Sequence, residues 1–247
     1  MANYDFVNSQ SQSNRELPGA QPNNALQPQR TSRYMEAIVQ PFGAQVASDE
    51  GSFFTATNAT LGTAITGTAA PTAFSATVAL ISLFNAVQNV ATSAKRVQLQ
   101  WLRLEPRAAG TNGTNFQFAM SIDNGNRFTS GGTAIVPVNS CMDLTTPTNV
   151  TMNVGALTTT AASAGVRRIA HGMVRPVIKV IGDSYLFLFG QTPMTSGVAV
   201  DGTAASQITV LCPAVTLGQN QSFLFHEVAA AQSVAATYEI SMAWTER

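Results

Sequence analysis

Charged side chains are scarce in this chain. Only 11% of its 247 residues are Asp, Glu, Lys or Arg, and 13 acidic residues balance 13 basic ones. Soluble proteins usually carry roughly a quarter charged residues, and so little charge protects a free surface poorly against association. The composition favours a subunit whose surface is covered by partner proteins. A neutral surface built from Thr, Ser, Asn and Gln is the alternative.

The charge balance also bears on nucleic acids and small-molecule cofactors. Proteins that grip phosphates directly usually show a basic excess or a basic stripe, and this chain has a formal net charge of zero. No glycine-rich phosphate loop precedes a predicted helix. We therefore expect no direct nucleic-acid partner and no cofactor.

Cysteine and histidine are equally rare, with two of each. Cys141 and Cys212 are far apart, so we expect buried free thiols in a reducing compartment, or a disulfide only if folding brings them together. His171 and His226 are too dispersed to predict a zinc site with these cysteines. The sequence therefore predicts no metal site.

Recognisable catalytic patterns are absent as well. The chain has no Gly-x-Ser-x-Gly elbow, and a Ser-His-Asp triad is defined by geometry rather than by sequence. His226 and Glu227 are adjacent, and a polar pair at a strand end is the ordinary interpretation of such a pair. A hydrolase would require His171 or His226 in a cleft beside a nucleophile and a carboxylate. We expect a protein without enzymatic activity.

Long apolar runs and targeting signals are also missing. No run of about 18 apolar residues exists, so no transmembrane helix and no membrane partner are expected. The N-terminus lacks a charged region followed by an apolar region, as a secretory signal would have. We therefore expect synthesis in the cytoplasm.

The first 33 residues differ in composition from the rest of the chain. They are rich in Gln, Asn and Ser, contain three prolines, and have too few apolar residues to offset the entropy of ordering. Alone, this segment is expected to be disordered. Its isolated apolar side chains suit an extended arm that lies in a groove of a neighbouring subunit. The candidate partner-binding residues are Tyr4, Phe6, Val7, Leu17 and Leu26. A flexible tail is the alternative.

From residue 34 onward the sequence predicts β-structure. Apolar and β-branched segments are separated by turn signals, whereas sustained helical periodicity and βαβ alternation are absent. The strand candidates are residues 34–42, 77–90, 95–105, 115–122, 133–138, 149–154, 166–171, 173–181, 184–189, 207–211, 221–228 and 234–244. A short helix is the alternative for residues 77–90, and short strands or one long excursion fit residues 43–77. We predict an all-β, antiparallel, jelly-roll-like sandwich over residues 34–247, preceded by the arm at residues 1–33.

Two strand candidates carry additional information. Within residues 95–105 the apolar positions change parity: Val97, Leu99 and Trp101 are followed by Leu102 and Leu104. This change predicts either a bulge near Trp101 or burial on both faces, in a strand that stops at Pro106. Residues 184–189 are apolar on both faces, which places them in the centre of the sandwich or at a subunit interface.

Two local features have competing interpretations. Residues 123–126, Asp-Asn-Gly-Asn, predict a hairpin turn between Phe118 and Phe128; the alternative, a calcium loop, lacks the further oxygen ligands of an EF-hand. Trp101 and Trp244 are candidates for a sugar site, but their apolar neighbours favour core packing.

A family resemblance is carried by three segments. They are residues 166–176 (Val-Arg-Arg-Ile-Ala-His-Gly-Met-Val-Arg-Pro), residues 181–185 (Ile-Gly-Asp-Ser-Tyr) and residues 238–247 (Tyr-Glu-Ile-Ser-Met-Ala-Trp-Thr-Glu-Arg). Together with the plan of an arm and a β-sandwich, they resemble virion proteins of tailed bacteriophages, in particular head decoration (cement) proteins. The resemblance implies a non-enzymatic, often trimeric protein on the outer surface of a capsid, which links neighbouring major capsid protein subunits.

The expected function is therefore that of a capsid decoration protein. Its expected partners are the major capsid protein and other copies of itself, as a homotrimer. Its expected location is the virion surface, after synthesis in the host cytoplasm. Two alternatives remain: a jelly-roll capsid subunit, and a carbohydrate- or receptor-binding β-sandwich module of a phage fibre.

Overall fold

The computed structural model describes residues 47–58, 60, 62–86, 95–110, 115–143, 147–177, 179–190, 207–229 and 232–247. The predicted arm, its candidate residues Tyr4, Phe6, Val7, Leu17 and Leu26, and the strand predicted at residues 34–42 lie outside these ranges. Residues 47–247 form one compact unit. A single helical turn at residues 47–49 leads into the first strand.

The described residues contain fourteen strands. They are β1 (Phe53–Thr57), β2 (Ile65–Thr66), β3 (Val78–Asn85), β4 (Val97–Ala108), β5 (Phe116–Asn124), β6 (Phe128–Ile135), β7 (Val138–Asn139), β8 (Val150–Thr159), β9 (Arg167–Arg175), β10 (Ser184–Phe189), β11 (Gln207–Cys212), β12 (Thr216–Leu217), β13 (Gln221–Val228) and β14 (Thr237–Glu246). The strand predicted within residues 77–90 is confirmed as β3. The two candidates at residues 166–171 and 173–181 are one strand, β9, which ends at Arg175.

The strands form two sheets that pack face to face. The first has the order β11-β10-β4-β14-β1-β7, with β12 beside β4 and β2 beside β14. The second has the order β6-β8-β3-β13-β5-β9. Neighbouring strands are antiparallel except β10 and β11, which are parallel. The antiparallel sandwich predicted from the sequence is confirmed.

Four strand pairs at the centre of the sandwich are nested in sequence. β1 pairs with β14, β3 with β13, β4 with β10, and β5 with β9. Such nesting is what a long antiparallel ribbon gives when it rolls up, so that strands of successive pairs alternate between the two sheets. Each sheet then contains one four-stranded set, β10-β4-β14-β1 or β9-β5-β13-β3. This is the eight-stranded double-sheet arrangement of a jelly roll.

The core lies between the sheets and is built by alternation along the strands. Tyr238, Ile240, Met242 and Trp244 of β14 are fully buried, as their shared parity predicts. On the facing sheet, Phe225 packs edge-on against Phe187, with ring centroids 5.1 Å apart, and stacks on Phe118 at 6.0 Å. These aromatic contacts join β5, β10 and β13 across the sandwich.

The parity change in β4 is caused by a bulge, as one of the two interpretations predicted. Ala243 lies opposite Trp101, but the next residue, Trp244, lies opposite Leu99. Gln100 is therefore the extra residue on β4, and it turns Trp101 to the outer face while the apolar residues on both sides of the bulge face inward. The prediction that the strand stops at Pro106 is wrong. β4 continues to Ala108 through a second irregularity, where a proline without an N–H group is tolerated.

The predicted hairpin at residues 123–126 is wrong. The chain does turn there, with Gly125 at a φ of 79°, but β5 and β6 are not paired. β5 lies between β13 and β9, whereas β6 pairs with β8 at the other end of the same sheet. Because the turn sends the chain across the sheet, β6, β7 and β8 form an insertion between the nested strands β5 and β9.

Backbone irregularities mark two of the sheet edges. β6 has register shifts between Phe128 and Ser130 and between Gly131 and Thr133. β9, at the opposite edge, has two shifts against β5. Bulges twist an edge strand and interrupt its row of free N–H and C=O groups, so they oppose pairing with another chain.

Candidate interaction surface

An apolar row crosses the outer face of the first sheet. On β10, Tyr185, Phe187 and Phe189 face the core, while Leu186 and Leu188 are half-buried on the other side. Leu188 lies opposite Leu211 of β11 and Trp101 of β4, and Trp101 lies opposite Ala243 of β14. Ala243 is fully buried, whereas the other three residues are partly exposed. We call Leu211, Leu188 and Trp101 the outer row. Of the two apolar faces predicted for residues 184–189, one therefore packs in the core and the other lies on the outer side of the sheet.

The outer row is flanked by paired charges. Arg103, beside Leu186, donates to Glu105, and Arg107 donates to Glu239 at 2.6 Å. The hydrogen bond from Arg107 holds the pKa of Glu239 below its usual value. These charges pair with one another along the sheet, so this outer face combines an apolar part with an electrically balanced part.

A second apolar group lies on the insertion between β5 and β9. Val136, Val138 and Met142 expose 82%, 58% and 96% of their surface. We call these three residues the insertion patch. No charged residue occurs from Phe128 to Met142, but the next residue, Asp143, is exposed, so the apolar patch has a negative charge at its edge.

The backbone beneath the insertion patch is fixed by the start of β1. Asn139 donates its side-chain amide to the Gly51 carbonyl at 2.8 Å, and the Ser140 N–H donates to the Phe53 carbonyl at 2.9 Å. Ile135, at the end of β6, is buried in the core. The exposed apolar side chains therefore belong to a segment whose backbone is held by hydrogen bonds to the start of β1 and by the burial of Ile135.

A cluster of charges is buried at the β9–β10 turn. Arg175 and Asp183 form a two-contact ion pair at 2.8 and 2.9 Å, and both side chains are fully buried. Asp183 also accepts hydrogen bonds from the Tyr185 hydroxyl and the Val180 N–H. Burial, and then the hydrogen bond to Asp183, raise the pKa of Tyr185.

A second buried ion pair stands near the first. Lys179 donates to Glu227, which also accepts from the Tyr238 hydroxyl at 2.7 Å. The Lys179 ammonium lies 5.0 Å from the centre of the Phe116 ring. Burial raises the pKa of Tyr238, and the charge of Glu227 adds to the effect. We call Arg175, Lys179, Asp183 and Glu227 the ionic cluster. It fastens the β9–β10 turn to β13 and β14.

His226 and Glu227 face opposite sides of β13, so the structure does not join them as a catalytic pair. His226 is buried on the outer side, where its Nδ1 donates to the Val78 carbonyl at 2.7 Å and its Nε2 lies 3.3 Å from Ser121 Oγ. A backbone carbonyl thus occupies the position that a carboxylate holds in a triad. Phe74 packs edge-on over the imidazole at 4.9 Å. His171 is exposed on the edge strand β9.

His226 gives the fold a defined pH response. Burial lowers the pKa of His226, and the charges of Arg127 and Arg168 lower it further, against the opposing hydrogen bond to Val78. In the unfolded chain the imidazole takes a proton below about pH 6.5. Because the unfolded state then binds more protons than the folded state, stability is lost as the pH falls through that value.

We expect His226→Asn to remove part of this pH dependence. Urea midpoints measured at about pH 7.5 and about pH 5.5, on either side of the ordinary histidine value, check it. The matched control is His171→Asn, at an exposed site, which should leave the difference between the two midpoints unchanged. An equal pH dependence in the parent protein and His226→Asn would contradict the assignment.

The Asp123 carboxylate is occupied by protein donors. It accepts hydrogen bonds from the side chains of Arg127 and Ser163 and from the Ser163 N–H. Burial alone would raise the pKa of Asp123, but these hydrogen bonds outweigh it and hold the pKa below its usual value. Arg127 also donates to the carbonyls of Thr160 and Ala76. Asp123 and Arg127 together therefore tie the turn after β5 to the segments that contain Ser163, Thr160 and Ala76.

The two tryptophans occupy different environments. Trp244 is fully buried, stacks on Phe54 and donates its indole N–H to Glu246 at 3.1 Å, so the expected core role is confirmed. For Trp101 that expectation is wrong, since the bulge at Gln100 places it in the outer row.

A cleft of about 250 Å³ lies beside Asn124, Arg167 and Gln221. The described residues that line this cleft include no aromatic ring, which a sugar site on a β-sandwich would be expected to have.

The two cysteines lie at opposite ends of the first sheet and are both free. Cys141 follows β7 and is partly exposed, whereas Cys212 ends β11 and is buried. Burial raises the pKa of Cys212 to about 12. The buried free thiol expected from the sequence is confirmed for Cys212. For Cys141 the expectation of burial is wrong.

We expect a thiol reagent to label one cysteine in the native protein. At about pH 8, Ellman's reagent should titrate Cys141 quickly, and it should titrate Cys212 only after unfolding in urea. The Cys141→Ser variant should show no fast reaction. Rapid labelling of two thiols in the native parent protein would contradict the burial of Cys212.

No helix within the described ranges has the length and apolar character that a membrane span requires. Within the same ranges, no group of three or more His, Cys, Asp or Glu side chains is suited to hold a metal ion.

Comparisons of the chain with protein-family models, with curated proteins and with solved structures found no match.

Proposed function

We propose that this chain is a non-enzymatic virion structural protein. The specific role is that of a decoration (cement) protein, which binds the outside of a phage head and links neighbouring major capsid subunits through the arm at residues 1–33. The observation that carries the proposal is the apolar surface left outside a well-packed jelly roll. The outer row and the insertion patch supply contact area in a chain with little charge to keep subunits apart.

The arm and the sandwich contribute to binding in different ways. A sandwich fixed on the capsid holds its arm at a high local concentration near adjacent subunits, so each additional weak contact becomes intramolecular. In a homotrimer three arms act together, and their combined avidity exceeds the affinity of any single contact. Isolated apolar anchors such as Tyr4, Phe6 and Leu17 suit this mode, because spaced apolar side chains of an extended segment can each occupy a separate pocket of a partner.

Deleting residues 2–33 tests the proposal. The full chain and the deletion variant are mixed with phage heads that lack the protein, and occupancy is measured by sedimentation and electron microscopy. We expect the full chain to decorate the heads and the deletion to reduce occupancy strongly. A variant with Tyr4→Ser, Phe6→Ser and Leu17→Ser should behave like the deletion, while the matched control Gln10→Ser, Gln12→Ser and Gln21→Ser should bind like the full chain. Unchanged occupancy in the deletion variant would refute the role of the arm.

A second candidate is favoured by the nested strand order. The jelly roll is a fold of viral capsid subunits, so the chain is also a candidate for a shell-forming subunit. Electron microscopy of the purified protein separates the two roles. A shell former builds closed particles by itself, whereas a decoration protein stops at a small oligomer.

A further inference from the structure

The polar cleft of about 250 Å³ is built by strands of both sheets. The residues that shape it are Ile122 and Asn124 of β5, Arg167 of β9, Gln221 of β13 and Thr216 of β12. Strand pairing sets this arrangement, because Asn124 lies opposite Gln221 and Arg167 lies opposite Ile122. The positions of these side chains are therefore fixed by the sheets rather than by a single loop.

One positive charge in the cleft is left without a counter-charge. Asp123 also lines the cleft, but Arg127 and Ser163 occupy its carboxylate. Arg167 is exposed and forms no ion pair with any residue that the structure describes. Because the charges of Asp123 and Arg127 compensate each other, the guanidinium of Arg167 gives the cleft a net positive charge.

The side chain of Asn124 adds an oriented hydrogen-bond donor to the cleft. The Gly218 N–H donates to Gln221 Oε1 at 2.8 Å, and Gln221 Nε2 donates to Asn124 Oδ1 at 3.3 Å. These two bonds occupy the acceptor end of the Asn124 amide, so that its Nδ2 donor end lies beside Gly165. A Cβ atom on Gly165 would lie only 2.8 Å from this Nδ2. The absence of a side chain at Gly165 therefore keeps the donor in place.

We propose that this cleft binds a carboxylate, held by the Arg167 guanidinium and the Asn124 Nδ2. A guanidinium presents parallel N–H donors that match the two oxygens of a carboxylate, and a net positive cleft attracts an anion. The proposal goes beyond the proposed function and stands without it, because the cleft lies on the sandwich and requires neither the arm nor a capsid.

The ligand assigned to the cleft is an acidic side chain, Asp or Glu, of a partner protein. The volume is smaller than that of pockets for drug-sized ligands, which begin at about 300 Å³, and it suits a single side chain. The described residues that line the cleft include no aromatic ring on which a sugar would stack. The ligand is therefore recognised through its charge and its two oxygens.

Saturation-transfer NMR with the full-length chain measures the binding. The probe is N-acetyl-aspartate methylamide, which has one carboxylate and no other charge. Its neutral match is N-acetyl-asparagine methylamide. We expect the acid to bind with a dissociation constant of about 1 mM, in keeping with a few polar contacts, and the neutral analogue to bind at least about tenfold more weakly.

Three variants identify the site. Arg167→Gln should weaken binding of the acid by about tenfold or more, and Gly165→Ala should weaken it by displacing the Asn124 amide. Both residues are exposed, so both variants should fold, which urea denaturation checks. The matched control is Arg168→Gln. It removes an identical charge from the next residue, whose guanidinium lies over the Phe74 ring, and it should bind like the parent.

The outcomes decide between a defined site and general attraction. Equal binding of the acidic and neutral probes overturns the proposal, and so does an Arg167→Gln variant that binds the acid like the parent. Equal losses in Arg167→Gln and Arg168→Gln would show attraction by overall charge and would also overturn it. Glucuronate, with glucose as its neutral match, tests the source of the carboxylate. If glucuronate binds more tightly than the aspartate probe, the assignment to an acidic side chain is wrong.

Discussion

Asp183→Asn is expected to lower the free energy of unfolding by about 3–5 kcal/mol, the range measured when one partner of a buried ion pair is removed. The amide has nearly the shape of the carboxylate but leaves the Arg175 guanidinium without its counter-charge in a fully buried position. It also weakens the acceptor of the Tyr185 hydroxyl and the Val180 N–H. Urea denaturation followed by tryptophan fluorescence measures the loss.

Two further variants serve as controls for the loss of stability expected in Asp183→Asn. Glu239→Gln removes a charge from the exposed pair with Arg107 and should change stability little, because solvent screens such pairs. The double variant Arg175→Met with Asp183→Leu removes both buried charges and should recover much of the loss, since apolar replacements of whole buried pairs are often neutral or stabilising. If Asp183→Asn were no more costly than Glu239→Gln, the ionic cluster would contribute little to stability.

Phe225→Ala is expected to cost about 3–5 kcal/mol, as for other large-to-small changes of buried aromatic residues. The side chain is fully buried, contacts Phe187 of the facing sheet and stacks on Phe118 of the neighbouring strand β5. Its loss opens a cavity between two sheets whose strands are fixed by hydrogen bonds on both sides, so the site has little freedom to collapse. The same urea titration gives the change.

The controls for Phe225 use a different residue size and a different location. Phe225→Leu keeps most of the apolar volume and should cost clearly less than the alanine variant. Phe74→Ala removes the same ring from an exposed position and should also cost less, because less surface leaves the interior. Equal losses for Phe74→Ala and Phe225→Ala would contradict the placement of Phe225 in the core.

Strong alternation made much of the sandwich predictable from the sequence. In β14, apolar Tyr238, Ile240, Met242 and Trp244 recur at every second position, and the strand lies between β4 and β1, where this face is fully buried. The parity change near Trp101 located the bulge because a single extra residue exchanges the two faces of a strand.

Pairing between strands distant in sequence was not predictable. The Asp-Asn-Gly-Asn turn predicts that the chain reverses direction, but it does not indicate which strand pairs with β6. In the structure that strand is β8. β1 and β2 lie in a segment rich in Thr, Ala and Gly, where no alternation distinguishes strand from loop. Their place in the sheet is set by β14, nearly the whole domain away.

The candidate sites were predictable only in part, for the same reason. Asp183 and Tyr185 are close in sequence to Arg175, but Glu227 reaches the ionic cluster only through the pairing of β13. The insertion patch gave a weak signal: a Val-Pro-Val run followed closely by methionine, without charges. Whether such a run is buried or exposed depends on the sheet that contains it, and β7 is a two-residue strand at the end of its sheet.

The nested strand order also determines when the protein can fold. β1 is completed by β14, with Phe53 opposite Thr245, so its main neighbour is synthesised last among the strands. Contacts of such long sequence separation make folding slow, and at about 5–20 residues per second the ribosome releases β1 well before β14. A nascent chain therefore cannot form the finished first sheet, with its outer row. In the proposed role, subunit contacts through that face would become available only after synthesis has passed β14, so that each chain folds before it assembles.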